Sequence, residues 1–211
     1  MPRFTLARAL GATLLLATPL AAAHATVETP AAKAAAADAA EAARDDMRAA
    51  FGKRFLGNGE YRWKKGGGGA EVTRVVIDLT DQLAFAYADH ELIGVSTISS
   101  GTEDNPTPTG IFPILEKKRM HRSIKYDNAP MPFMQRLDQF GIALHGGNLP
   151  GYPASHGCVR LPPAFAAKLF AATSVGTTVL IGRTDDVAAS QQAELAQEDA
   201  VSEDKTVRFE L

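Results

Sequence analysis

Short apolar runs follow one another closely through the middle of the chain. Each is about four to eight residues long and rich in β-branched or aromatic side chains, which is typical of strands. The first three are Val72–Leu79, Leu83–Ala88 and Leu92–Ser99, with turn residues and no helical segment between them. This spacing predicts a mainly antiparallel β domain.

The second half of the domain continues this pattern with one helix. Three more strands are predicted at Ile111–Leu115, Phe140–Leu144 and Thr177–Ile181. Pro162–Thr173 predicts a short helix, because prolines stand at its start and Phe165 and Leu169 recur at helical spacing as core residues. The segment 117–139 shows no periodicity, which predicts an irregular stretch that is either a functional loop or disordered.

The N-terminus has the features of an export signal. Arg3 and Arg8 flank the start of an apolar stretch, Leu10 to Ala23, which ends in the small-x-small sequence Ala23-His24-Ala25. The stretch is shorter than the ~20 residues of a membrane-spanning helix. We therefore predict a signal peptide at residues 1–25, export to the periplasm or cell envelope, and no transmembrane anchor after cleavage. An uncleaved anchor is the alternative.

The segment between the signal and the first strand is dominated by alanine. Pro30 to Phe55 predicts a solvent-exposed helix or a partly ordered spacer, since alanine favours helix but buries little area. Gly66 to Gly69 predicts a flexible linker. The predicted organisation is therefore a spacer with linker at 26–70, a catalytic domain at 71–182, and a polar acidic tail at 183–211.

Overall composition is that of an ordinary globular protein. Hydrophobic residues make up 45% of the 211 positions, charged residues 22%, and the formal net charge is −2. This balance gives no support to a nucleic-acid partner, which would favour a strongly basic face. A local basic run comprises Lys117, Lys118, Arg119, Arg122 and Lys125.

Cys158 is the only cysteine of a chain that carries an export signal. Exported proteins usually pair their cysteines, so a single one indicates either a reactive thiol or a small buried core residue. The surrounding sequence favours a reactive thiol. His145 and His156 offer proton acceptors near neutral pH, and the Gly157 and Cys158 amides are candidate oxyanion donors. Arg160 would share a face with Cys158 on extended chain.

The run Ser155-His156-Gly157-Cys158-Val159-Arg160 resembles the signature of the L,D-transpeptidase catalytic domain family (the YkuD-like domain). Gly101 with Thr107-Pro108-Thr109-Gly110-Ile111-Phe112 is similar to a second element of that family, and Ile142–Gly146 is similar to its upstream histidine strand. The resemblance covers residues 71 to 182. It implies a β-sandwich or partly open barrel with one or two short helices, preceded here by the helical spacer.

The resemblance also implies roles for individual residues. Cys158 would be the nucleophile that attacks the third residue of a peptidoglycan stem tetrapeptide and releases D-Ala. His145 would be the base, oriented by the carbonyl of Gly146, and His156 would support the site. An amine acceptor would resolve the thioester to give a 3→3 crosslink or protein attachment, without metal or organic cofactor. Further candidates for orientation or substrate binding are Gly157, Arg160, Ser155, Tyr126 and Phe133.

Other interpretations use the same residues. Water as acceptor would make the protein an L,D-carboxypeptidase. His145, His156 and Cys158 have the atoms of a zinc site, which would suit a non-catalytic cell-wall module. A papain-like or NlpC-type peptidase places cysteine before histidine, whereas here His145 comes first. The basic run would either steer anionic stem peptides or form a solvated surface.

Overall fold

The described part of the chain folds into two β-sheets and two helices. The computed structural model describes residues 26–65 and 69–184. Its helices are α1 (Pro30–Phe51) and α2 (Pro163–Ala172). Its strands are β1 (Tyr61–Trp63), β2 (Arg74–Asp78), β3 (Leu83–Ala88), β4 (Glu91–Thr97), β5 (Gly110–Pro113), β6 (Glu116–Arg122), β7 (Pro130–Arg136), β8 (Ala143–Gly146), β9 (Val159–Leu161) and β10 (Thr178–Gly182). The predicted signal peptide and most of the predicted tail lie outside the described residues.

The ten strands form two open sheets. The first has the order β1-β4-β3-β2-β10-β5 and the second the order β6-β7-β8-β9. Most neighbours are antiparallel, so the predicted mainly β architecture is confirmed. Two pairs are parallel, β2 with β10 and β8 with β9. Parallel neighbours need long crossover connections, and the close spacing of the first apolar runs does not reveal them.

Both faces of the six-stranded sheet are buried. Successive side chains of a strand point to opposite faces. In β2, Val75 and Ile77 enter a core that also contains residues of β8, β9 and α2, whereas Val76 belongs to the cluster beneath α1. Phe165 and Leu169 are fully buried in the first core, as predicted. The sheet is therefore the middle layer of the fold.

Helix α1 rests its alanine face on this sheet. Ala36, Ala37, Ala40 and Ala43 are each 0% exposed. The approach is so close that a Cβ at Gly182 would lie 2.2 Å from the Ala36 carbonyl oxygen. The predicted helix is confirmed, but its expected solvent exposure is wrong for this face. Small side chains allow the helix backbone itself to pack against the strands. Neither described helix has the length and apolarity of a membrane span.

Polar contacts also join α1 to the β2–β3 hairpin. The Arg44 guanidinium lies 2.9 Å from an Asp81 oxygen and 3.4 Å from an oxygen of the buried Asp78. The Tyr87 hydroxyl donates to the Asp46 carboxylate at 2.7 Å. These contacts fix the orientation of a helix whose apolar face is smooth.

Two other parts of the predicted spacer belong to the sheet. Strand β1 pairs with β4 at one edge. At the opposite edge, Val27 and Ile111 of β5 exchange two backbone hydrogen bonds of 2.8 and 2.9 Å. The segment 26–65 is therefore packed along the domain at both edges and across one face.

The predicted irregular loop at 117–139 is wrong, because β6 and β7 form a hairpin there. Strand β6 is an edge strand with mostly exposed or half-buried charged side chains, so its sequence lacks hydrophobic alternation. In β7, Phe133 has a φ of 57° and interrupts the alternation. The strand predicted at Phe140–Leu144 begins only at Ala143, after a turn.

The packing of α1 predicts a large effect of substitution at one alanine and a small effect at its neighbour. Ala43→Glu would bury a charge against the sheet and lower the free energy of unfolding by about 3 kcal/mol or more. Ala42→Glu, on the exposed side, would change it by less than about 0.5 kcal/mol. Urea denaturation measures both. Equal effects would contradict the docking of α1.

Candidate active site

A loop between two parallel strands carries the cysteine. Residues 147–158 connect the end of β8 to the start of β9. The returning chain is bound to the segment that follows β4. Ser99 and Arg160 exchange two backbone hydrogen bonds of 3.0 Å, and the Ser155 N–H donates to the Ser100 carbonyl at 2.9 Å. Since β4 and β9 belong to different sheets, the cysteine loop lies where the sheets meet.

The Thr107 hydroxyl holds this loop from one side. It donates to the Gly157 carbonyl at 2.8 Å and accepts the Gly101 N–H at 2.9 Å. Gly101 must be glycine, because a Cβ there would lie 2.1 Å from the Asn105 carbonyl oxygen. The similarity of residues 101–112 to the family element thus has a structural meaning. This segment fixes the residue before Cys158.

Ser155 folds the loop from within. Its hydroxyl, on a side chain that is almost fully buried, donates to the Cys158 carbonyl and accepts the Gly157 N–H at 3.1 Å. The Gly157 amide, predicted as an oxyanion donor, is therefore already bound to the Ser155 hydroxyl in the free protein. Ser155 lines the cavity, but the contacts of its hydroxyl are with the loop.

His145 lies on β8 and is only 7% exposed. Its Nδ1 is 2.9 Å from the Gly146 carbonyl oxygen. A carbonyl can only accept, so Nδ1 carries the proton and Nε2 keeps its lone pair in the neutral ring. Burial lowers the pKa of His145, the Gly146 hydrogen bond opposes this, and the charges of Arg160 and His121 lower the pKa further. The ring is therefore a neutral proton acceptor at neutral pH.

The Cys158 thiol is partly buried and points toward the turn before β8. Its Sγ lies 3.6 Å from the Gly141 carbonyl oxygen. Burial raises the pKa of this thiol; the Ala143 N–H lowers it, the Asp138 charge raises it, and Arg160 lowers it. In the resting state, burial therefore outweighs the groups that favour the thiolate.

One cavity of about 640 Å³ brings most of the predicted site residues together. The predicted residues that line it are Cys158, His145, His156, Arg160, Ser155 and Tyr126. Gly146 does not line it, but its carbonyl binds the His145 ring. Phe133 does not line it either, because its ring packs against Phe170 at 5.9 Å between centroids. The structure therefore gives no support to the prediction that Phe133 contacts substrate.

The β6–β7 hairpin forms the outer wall of the cavity. At its tip, Tyr126 stacks on His156, with ring centroids 4.2 Å apart and planes 19° from parallel. His156 is exposed, and the ring on which it stacks is that of Tyr126. The structure therefore places His156 at the rim of the cavity, beside the hairpin.

The basic run divides into structural and solvent-facing residues. Lys117 donates to the carbonyls of Phe170 and Thr173 at the end of α2, and burial lowers its pKa. Lys118 pairs with Glu116 at 2.7 Å. Of the five basic residues, Lys125 lines the cavity. The position of Lys125 therefore supports a role in steering anionic stem peptides, whereas the position of Lys117 does not.

Sequence reasoning missed three contributors. Asp138 folds the turn that meets the thiol, Thr107 holds the loop, and His121 lines the cavity beside His145. Thr107 stood in a recognised element without an assigned role. Nothing in the local sequence marks Asp138 or His121, because their partners lie on other segments.

Within residues 26–65 and 69–184, no three His, Cys, Asp or Glu side chains are arranged as metal ligands. The alternative zinc site at His145, His156 and Cys158 therefore lacks the required geometry. What the site offers instead is a thiol, a neutral imidazole and a guanidinium around one cavity. These groups are suited to nucleophilic chemistry by a cysteine with a histidine base.

Comparison with known proteins agrees with this class of site. The family model described as the YkuD L,D-transpeptidase catalytic domain matches residues 72–181. The chain belongs to the L,D-transpeptidase catalytic domain family. No curated protein sequence matches it.

Solved structures of L,D-transpeptidases match part of the chain. One from Stackebrandtia nassauensis is 25% identical with a TM-score of 0.50, and the match covers 69% of this chain and 65% of that one. One from Mycobacterium smegmatis is 24% identical with a TM-score of 0.49, covering 54% and 59%. One from Mycobacterium tuberculosis is 21% identical with a TM-score of 0.48, covering 51% and 56%. The match thus spans less than two thirds of each of these structures.

The hydrogen bonds of Thr107 predict a specific dependence on its hydroxyl. Thr107→Val keeps the shape but leaves the Gly157 carbonyl and the Gly101 N–H unpaired, which would cost about 1–3 kcal/mol of stability. The alkylation rate of Cys158 by iodoacetamide would also change, because Gly157 is released. Thr107→Ser keeps the hydroxyl and would retain both properties. If both variants behaved alike, the loss could not be attributed to the hydroxyl.

Proposed function

We propose that this protein is an exported peptidoglycan L,D-transpeptidase with Cys158 as nucleophile and His145 as general base. One observation carries the proposal. The thiol and the imidazole line the same cavity, and the Gly146 carbonyl fixes the histidine tautomer that can accept a proton. Membership of the L,D-transpeptidase family supports the reaction class.

In the acylation step, Cys158 Sγ attacks the carbonyl carbon of the third residue of a stem tetrapeptide. The thiol proton passes to His145 Nε2 as the C–S bond forms. The tetrahedral intermediate collapses, the amide bond breaks, and the proton on His145 passes to the departing amino group of D-Ala. The products are free D-Ala and a thioester on Cys158.

In the second step, an amine resolves the thioester. The amine of a neighbouring stem or of a protein attacks the thioester carbonyl, His145 takes its proton, and the new amide forms as the C–S bond breaks. The proton then returns to the sulfur. A cysteine thioester is reactive enough for this aminolysis, and the reaction needs no energy source other than the donor amide.

Supporting residues would bind and orient the substrate. Arg160 lines the cavity and favours negative charge, so it would bind a stem carboxylate. The Cys158 N–H is the remaining oxyanion candidate, since Ser155 binds the Gly157 N–H. Tyr126 and His156 would contact the substrate at the rim of the cavity.

The proposed location is the periplasm or cell envelope. The charged start, apolar stretch and small-x-small ending of residues 1–25 support export. A reaction on peptidoglycan stems requires access to that compartment, so the predicted signal and the proposed substrate agree.

The direct test incubates the protein with a disaccharide tetrapeptide and follows the products and the protein by mass spectrometry. We expect release of D-Ala, a tripeptide adduct on Cys158, and a crosslinked product when an amine acceptor is present. Cys158→Ser, the smallest change of the nucleophile, should lower turnover about 10⁴-fold or more. His145→Gln should lower it about 10²–10⁴-fold.

Each alternative gives a different result in this assay. Tripeptide without crosslinked product, even with acceptor amines, would indicate an L,D-carboxypeptidase. Wild-type turnover in Cys158→Ser would refute the proposed mechanism. Absence of D-Ala release under all conditions, with the thiol intact, would favour a binding module.

The resting protonation states predict the pH dependence. Burial lowers the pKa of His145, so protonation removes the base only below its ordinary value of 6.5. The acid limb of kcat/KM should therefore lie below pH 6.5, followed by a plateau through neutral pH. His156→Gln should leave the position of this limb unchanged. A rate that rises steadily into the alkaline range would show that free thiolate, and not base-assisted attack, is required.

A further inference from the structure

Asp138 is a buried carboxylate two residues after the end of β7, and it closes a turn with a single oxygen. Its side chain is 4% exposed. Oδ1 accepts the N–H groups of Phe140, Gly141 and Ile142 at 2.9, 2.8 and 2.8 Å. Hydrogen bonds to an ionised acceptor are stronger than those between neutral groups. Three of them on one oxygen define the path of residues 138–142.

This turn contacts the cysteine loop at two points. The Gly141 carbonyl, on a residue with a φ of 98°, lies 3.6 Å from Cys158 Sγ. Ile142 packs so closely on the loop that a Cβ at Gly157 would lie 2.7 Å from its Cδ1. The chain then enters β8, which carries the Ala143 N–H and the His145 ring. The same turn therefore precedes the base and supports the nucleophile.

Asp138 also contributes a negative charge near the sulfur. That charge raises the pKa of the Cys158 thiol, and Arg160 on β9 acts in the opposite direction. The other titratable or charged groups of the cavity lie on β8, the loops and the β6–β7 hairpin. They are His145, His156, His121, Lys125, Tyr126 and the Glu116–Arg136 pair. Of the two charged side chains that act on the sulfur, Asp138 carries the negative charge and Arg160 the positive one.

We infer that Asp138 is a positioning residue, which holds the 138–142 turn against Cys158 and keeps the Gly141 carbonyl on its thiol until His145 takes the proton. The inference deepens the proposed function, and its catalytic part rests on that function. The effect of Asp138 on the Cys158 thiol does not rest on the proposed function, because it is a property of the free protein.

Two variants of Asp138 separate the effect of its charge from the effect of its hydrogen bonds. In Asp138→Asn the amide oxygen can still accept the three N–H groups, but the charge is lost. The pH midpoint for alkylation of Cys158 by iodoacetamide should shift to lower pH. In Asp138→Ala the cap is lost, and kcat should fall about tenfold or more with little change in KM, because the nucleophile is misplaced.

The chain provides a matched control in Asp78. This carboxylate is 0% exposed, and its Oδ1 accepts the N–H groups of Thr80 and Asp81 at 2.9 and 3.1 Å, beneath α1 and outside the cavity lining. Asp78→Ala should lower the Tm as Asp138→Ala does, yet keep kcat and the alkylation midpoint. An equal loss of kcat in Asp78→Ala would reduce Asp138 to a contributor to stability.

An unchanged alkylation midpoint in Asp138→Asn would overturn the inference, and this variant decides the question even if Asp138→Ala does not fold. If the wild-type protein releases no D-Ala from the tetrapeptide, the proposed function fails. The alkylation profiles, which need no substrate, would still show whether Asp138 acts on the thiol.

Discussion

The Cys158 sulfur lies on a stretch of chain without regular secondary structure, so its position depends on contacts with other segments. The Thr107 hydroxyl holds the Gly157 carbonyl from one side, and the Gly141 carbonyl meets the thiol from the other. The Ser155 hydroxyl binds the Gly157 N–H and the Cys158 carbonyl, and so holds the chain around the thiol from within the loop. The two sheets bring these segments within reach of one another, and the site exists only where they converge.

Burial gives the two reacting groups a shared resting state. It raises the pKa of Cys158 and lowers the pKa of His145, so both groups are neutral in the free protein. A neutral pair buries no charge and costs little stability. In the proposed mechanism the proton moves during attack, and the Gly146 carbonyl orients the His145 ring to accept it. Such a thiol would also resist oxidation better than a free thiolate.

The sequence predicted those parts of the site that are close together along the chain. Cys158, His156 and Arg160 lie within a few residues, and their chemical types indicate thiol chemistry without knowledge of the fold. The remaining determinants act over long separations. Asp138 reaches the sulfur only through a turn, and β6 escaped detection because an exposed edge strand has no buried face to impose alternation. The strands of the central sheet were predictable because both of their faces are apolar.

Helix α1 shows why the family match and the folded unit differ in extent. The match begins at residue 72, yet the helix before it covers one face of the six-stranded sheet with alanines. Beneath it lie Phe85 and Tyr87, whose apolar surface would otherwise face solvent. Each alanine buries little area, but small side chains bring the helix backbone onto Gly182 and shield the larger residues below. Residues 26–65 therefore contribute to the folded core although they precede the family match.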